Sequence, residues 1–309
     1  MASLRIINKY NILYAIKFEY DYSPLILMIC KFKKLKILSI FCSLVNDYRY
    51  YGEQSVLCIS NEIRDSILKL TNMLNPTVVT NRVFMDDLKE YKPPFVFSKD
   101  KINIVRVTQF NNHYFKSNCN LLNILKEISS NYHLYLVGSG RNQSIEKLKN
   151  YFLGYEENFT IINTNSSDLL CYICHSNIVV GTGRTAIDAL FYNKPLIIPH
   201  FNCNGFALFE SANAMNLIYN NLSGRNLDPK SIIKFSTCLS KINSKSFKSL
   251  YCKFYKKIFL STYSDKNLST QLSTNLFKEN NLSYTRTYLY CLKYFVINIT
   301  LRFRNLLIN

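Results

Sequence analysis

Between residues 102 and 198 the chain alternates short apolar runs with amphipathic stretches at a nearly constant spacing, and this rhythm restricts the fold more than any other feature. The pattern predicts strands at 102–107, 133–137, 160–162, 177–180 and 195–198. Helices are predicted between them at 120–130, 144–152, 167–174 and 185–192. Strands separated by a helix run parallel when they pair, because the helix carries the chain back along the sheet. Most of these strands are continuous apolar runs rather than alternating ones, as expected when helices cover both faces. The predicted fold class is therefore α/β, built on a Rossmann-like parallel sheet.

The residues before this region read as a less complete α/β portion. A short run at 11–17, an apolar helix after Pro24 and strands at 35–41 and 54–59 precede Ser60, which can cap a helix carrying Ile63, Ile67 and Leu70 at helical spacing. Another β-prone piece covers 75–80, and Pro93-Pro94 marks a linker. The expected organisation is a partial N-terminal portion over 1–94, a Rossmann-like domain over 95–230, and a basic helical segment over 231–309.

The chain has eight glycines, and seven follow the linker. Four of them, Gly138, Gly140, Gly181 and Gly183, sit in two strand-to-helix turns. Glycine lets a ligand approach the backbone closely, and the start of a helix offers unpaired N–H groups to an anion such as a diphosphate. Such sites lie at the carboxyl ends of parallel strands. A lone Gly-x-Gly is equally served by a tight turn, so the weight rests on the two turns together. Thr182, Arg184 and Thr185 complete the second turn, and Arg184 is a further phosphate candidate.

Several pieces in order resemble one family. Leu136-Val137-Gly138-Ser139-Gly140 is similar to the "Ile-Val-Gly-x-Gly" of the retaining GT-B glycosyltransferases, group 1 or family 4-like. Gly183-Arg184-Thr185-Ala186-Ile187-Asp188-Ala189-Leu190 with Asn193-Lys194-Pro195-Leu196-Ile197-Ile198 is similar to that family's "Glu-Ala-Met-Ala-x-Gly-x-Pro-Val-Ile". Ser60-Asn61-Glu62-Ile63-Arg64 looks like its "Ser-x-x-x-Arg" helix entry, and Asn81-Arg82-Val83-Phe84 like its "Asn-Gly-Val-Asp" turn. The resemblance covers roughly residues 55 to 230 and implies a GT-B-like fold with an abbreviated N-terminal portion. It also implies transfer of a sugar from a nucleotide-sugar donor to a glycan or lipid-linked acceptor, retaining the anomeric configuration and without a metal or other cofactor.

Carried over by position, the resemblance puts Asp188 where the family holds the donor ribose; the plainer role is a favourable charge early in a helix. Arg106 and Lys116 stand where the family neutralises the diphosphate leaving group, although Arg106 falls inside a predicted strand and the spacing to Lys116 is long. There are departures too. Val180 stands where the family often has a second acidic residue, and Asn193 replaces a common glycine. The family's catalytic histidine has no counterpart, since His113, His133, His175 and His200 all lie beyond the N-terminal portion. Only the last two or three strands of the family's acceptor-binding domain fit before Ser60, and the missing strands favour a second reading, an inactive or partner-dependent nucleotide-sugar-binding module.

Composition sets the outer limits. A net charge of +18 attracts phosphates, nucleic acid and anionic lipid alike, or reflects a biased genome. The charge is dispersed, apart from the cluster Lys31, Lys33, Lys34 and Lys36, and no recognisable motif supports a nucleic-acid partner. Ten scattered cysteines and no secretory signal layout lead to the expectation of a reduced, cytoplasmic protein. No transmembrane helix is predicted, since no apolar run reaches the ~20 residues a bilayer needs. A basic, aromatic helix at 284–308 can instead lie peripherally on an anionic membrane surface or dock on the protein's own core. Cys171-Tyr172-Ile173-Cys174-His175 spells a haem c attachment sequence, but these residues complete a helix in the α/β alternation. No second pair has the spacing of a zinc site.

Overall fold

The computed structural model describes residues 14–18, 35–42, 55–70, 76–79, 97–128, 131–164, 169–200, 203–225 and 227–244, with single positions as far as Tyr263. The helix expected after Pro24, the lysines at 31–34, the turn at 81–84, the linker at 93–94 and the terminal helix at 284–308 lie outside these residues. The described parts belong to two compact units, one within Met1–Thr80 and the other within Asn81–Asn267.

The first unit is a sheet of four parallel strands: β1 (Tyr14–Phe18), β2 (Lys36–Phe41), β3 (Ser55–Cys58) and β4 (Thr77–Val78), paired in that order. Helix α1 (Asn61–Leu70) follows β3. Ser60 caps it as expected, its Oγ accepting from the Ile63 amide at 3.3 Å. Ile63 and Ile67 bury against Phe41, Val56 and Cys58, whereas Leu70 faces solvent.

The second unit contains β5 (Ile102–Val107), α2 (Asn112–Ile128), β6 (Tyr132–Gly138), α3 (Asn142–Tyr151) and β7 (Phe159–Asn163). It continues with α4 (Leu169–His175), β8 (Ile178–Val180), α5 (Gly183–Phe191), β9 (Leu196–Pro199), β10 (Phe206–Leu208), α6 (Ala214–Tyr219) and α7 (Phe235–Asn243). The strand order is β10-β9-β8-β5-β6-β7, parallel throughout except for β10 at the edge. The chain thus builds outward from β5 through β6 and β7, then returns to lay β8 and β9 on the other side. That reversal puts the topological switch point, where open α/β sheets bind ligands, between β5 and β8.

Each strand is apolar on both sides because each side faces a separate core. Ile104, Leu134, Leu136, Val180 and Ile197 pack beneath α2, α3 and α7. Their neighbours in the chain turn the other way: Val179 and Ile198 meet α5 and α6, while Val105, Tyr135 and Val137 meet α4. Helix α4 supplies Cys171, Tyr172 and Ile173 to these cores, so the haem-like sequence is a packed helix.

Two of the shifted boundaries bear on the site. Helix α2 begins at Asn112 rather than residue 120, because Asn111 Oδ1 accepts from the Tyr114 amide at 3.1 Å and starts the helix earlier. Helix α5 begins at Gly183 rather than Thr185, which moves Gly183 and Arg184 from a loop into the first turn. Strand β10 and helix α6 had no clear signal in the sequence. Among the described residues no helix is long and apolar enough to cross a membrane.

Candidate functional site

A cleft of about 500 Å³ opens at the carboxyl ends of β5, β6, β8 and β9, centred on the switch point. Arg106, Val107, Thr108 and Gln109 form its floor from β5, and Gly138 and Ser139 continue it from β6. Val180, Gly181, Thr182, Arg184 and Thr185 supply the wall from β8 and α5. Tyr114, Thr164, Leu169 and Pro199 stand around the rim. Of the residues expected from sequence, the cleft brings together Arg106, Gly138, Gly181, Thr182, Arg184 and Thr185. Lys116, Gly140, Gly183 and Asp188 are not in its lining.

Gly138 is required by packing. A Cβ there would collide with the Thr108 carbonyl oxygen, and the Gly138 carbonyl accepts from the Thr164 amide at 2.7 Å. The glycine therefore lets the ends of β5, β6 and β7 converge under the cleft. Gly140 does a neighbouring job, since a Cβ on it would strike the backbone and side chain of Phe110. Gly183 has open space around its missing Cβ but φ of +54°, a conformation costly for other residues.

Not every amide in the second turn faces a ligand. Gly181 N–H donates to the Ile197 carbonyl at 3.1 Å, and Gly183 N–H to the Leu222 carbonyl at 2.9 Å. The same helix start carries the backbone donors of Thr182, Arg184 and Thr185, all of which line the cleft. Together with the positive end of the α5 dipole they favour an anion.

Arg106 is 6% exposed although it carries a full charge. Its Nη2 donates to Ser117 Oγ at 2.5 Å and its Nη1 to Cys203 Sγ at 2.7 Å. Both partners are formally neutral groups, and among the described residues no carboxylate lies within ion-pair distance of it. Neither partner was identifiable from sequence, since Cys203 is remote in the chain and Ser117 follows from the early start of α2. Lys116 on the same helix is exposed and lies outside the lining.

Asp188 lies in the second turn of α5 rather than just inside it, and is 7% exposed. Its Oδ1 accepts from Arg184 Nε at 2.9 Å. Burial pushes the Asp188 carboxyl above the usual range, and Arg184 opposes that shift. The carboxylate thus fixes the inner end of a side chain that is itself 55% exposed and reaches the cleft. Among the described residues, none that lines the cleft is a carboxylate or a histidine.

No protein-family model matches the chain, and no curated protein matches it in sequence. Solved structures do. A glycosyltransferase from Rickettsia africae is similar with a TM-score of 0.63 at 17% identity, over 88% of this chain and 79% of that one. The chain has a GT-B-like fold. HepE from Anabaena, solved with UDP and glucose, is similar with a TM-score of 0.60 at 11% identity, over 89% of this chain and 80% of that one. The GT-B-like architecture is shared with a putative UDP-N-acetylglucosamine 2-epimerase from Listeria monocytogenes, with a TM-score of 0.54 at 10% identity over 92% and 80% of the two chains. The cleft described above therefore belongs to a fold that serves more than one reaction class.

Proposed function

We propose that the protein is a glycosyltransferase, moving a sugar from a nucleotide-sugar donor to a glycan or lipid-linked acceptor with retention of configuration. The observation that carries this reading is the cleft at the switch point, where a buried guanidinium held by neutral groups and the amides of Thr182 and Thr185 converge. Such an arrangement favours a diphosphate over any neutral ligand. In the reaction, charge develops on the diphosphate as its bond to the sugar breaks, and cations and amides fixed beforehand stabilise that charge without reorganising. Arg106 and Arg184 supply the cations. Asp188, buried and outside the lining, acts by holding Arg184 in place through its Oδ1. Lys116 and Gly140 lie outside the lining, and the proposal places no donor contact on them.

The HepE complex and the Rickettsia glycosyltransferase support this reading by shared fold. A second reading has a specific observation behind it. The family's catalytic histidine has no counterpart in the N-terminal portion. That favours a nucleotide-sugar-binding module that is inactive or depends on a partner. Titration calorimetry of the protein with UDP and GDP, beside an Asp188→Ala variant, tests both. Saturable binding weakened in the variant supports the donor site, and turnover of a UDP-sugar then separates transferase from module. A folded protein that binds neither nucleotide refutes both.

A further inference from the structure

The turn after α6 holds the second glycine turn from outside the cleft. Helix α6 ends with two reversed hydrogen bonds, Leu222 N–H to the Leu217 carbonyl at 2.8 Å and Asn221 N–H to the Ile218 carbonyl at 3.0 Å. This helix-ending motif needs one residue in the left-handed region, and Asn221 supplies it with φ of 53°. Leu222, the next residue, is also left-handed with φ of 53°, which the motif does not require. A bulky residue in that region is a true outlier. It is nevertheless wholly buried, packed in the core shared by α5 and α6. The strained backbone turns the Leu222 carbonyl onto the Gly183 amide. Gly183 is left-handed in its turn, so the hydrogen bond joins two unusual conformations. The same turn is held against β9, since Gly224 has φ of 73° and a Cβ on it would collide with the carbonyl of Pro199 at the cleft rim.

We infer that Leu222 is a positioning residue: its left-handed backbone clamps Gly183 and so presets the Thr182 and Thr185 amides for an anionic ligand. The inference rests on the donor reading for the ligand, but not for the clamp itself. Strain of this kind persists where the surroundings enforce it, and it clusters at ligand-binding segments. A clamp made by a carbonyl outside the cleft spares the ligand the entropy of ordering the turn.

The test separates backbone conformation from burial. Leu222→Ile keeps the volume but places a β-branched side chain where φ is positive, which that side chain tolerates poorly. Leu222→Met also keeps the volume and leaves the β-carbon unbranched. Amide exchange followed by NMR in the ligand-free protein should show Gly183 exchanging about tenfold faster in Leu222→Ile than in wild type, with Leu222→Met unchanged. Ala186 to Leu190 should keep their protection in both variants. UDP should bind Leu222→Ile about fivefold more weakly and Leu222→Met normally. Gly183 exchange that is the same in all three proteins, or UDP affinity that is unchanged while Gly183 exchange rises, overturns the clamp. A wild-type protein whose Gly183 amide is protected but which binds neither UDP nor GDP overturns the donor reading, and with it the clamp's assignment to a phosphate ligand.

Discussion

Replacing Arg106 with Met should abolish most nucleotide binding while barely changing stability, a combination unusual for a residue buried in a central strand. Removing one member of a buried ion pair typically costs roughly 3–5 kcal/mol, because the other charge is stranded. Among the described residues Arg106 has no such partner. Ser117 Oγ also donates to the Tyr114 carbonyl at 3.2 Å, so it keeps a hydrogen bond after the change, and a thiol is a weak acceptor that loses little. Loss of two hydrogen bonds is offset by relief of burying an uncompensated cation, leaving a net change of about 1 kcal/mol or less. The effect on a bound diphosphate is larger. A charge about 5 Å from a phosphate at an effective dielectric of about 20 contributes about 3 kcal/mol. Allowing for solvent in the open cleft, about 2 kcal/mol remains, or roughly a 30-fold loss of affinity. Urea denaturation gives the first quantity and titration calorimetry with UDP the second. A stability loss above about 3 kcal/mol would show that the guanidinium is a structural strut. Undiminished UDP binding would show that its charge is not directed at the ligand.

Three further outcomes follow from the geometry. Gly138→Ala should cost about 3 kcal/mol, because its Cβ meets backbone that cannot move aside, whereas Gly154→Ala, with φ of 86° and open space, should cost only about 1 kcal/mol; thermal denaturation of the two variants compares them directly, and equal losses would contradict the packing argument. Burial raises the Asp188 carboxyl, so its contribution to stability is fully present below the ordinary carboxylate value and is lost as pH rises through its folded value. Asp188→Asn should remove that fall from a pH series of urea midpoints, and an unchanged slope would locate it elsewhere. His133, held below its ordinary value first by burial and then by Lys101, acts in the opposite sense. Its contribution is complete above the ordinary imidazole value and disappears as pH falls through the folded one, so His133→Gln should flatten the acid side of the same series.

The fold was legible because its signal is local and repeated. Strand β5 was predicted with its observed ends, and β6 to β9 within a residue or two, since an apolar run such as Leu196-Ile197-Ile198 is enforced by two cores at once. Helix α2 was only half legible. Its first two turns, from Asn112 to Cys119, are poor in strong helix formers, and burial of Ser117, Asn118 and Cys119 overrides that preference. The site was legible where a glycine marks a close approach, as at Gly138. It was illegible where partners come from afar: nothing near Arg106 in the chain announces Cys203, and nothing near Gly183 announces Leu222. The Arg184–Asp188 pair carries a local signal, because a spacing of four on a helix brings opposite charges together.

The order in which the sheet is laid down bears on how the protein is made. As the chain emerges from the ribosome, β5, β6 and β7 can associate first, leaving one edge of β5 open until β8 arrives. Arg106 is then already synthesised, yet Cys203 and the turn at Leu222 are not. Nascent chains stalled before residue 203 would carry the cleft's cation without the thiol that holds it. The cleft's lining ends at Pro199, so a nucleotide finds its full set of contacts only after β8, α5 and β9 have been made.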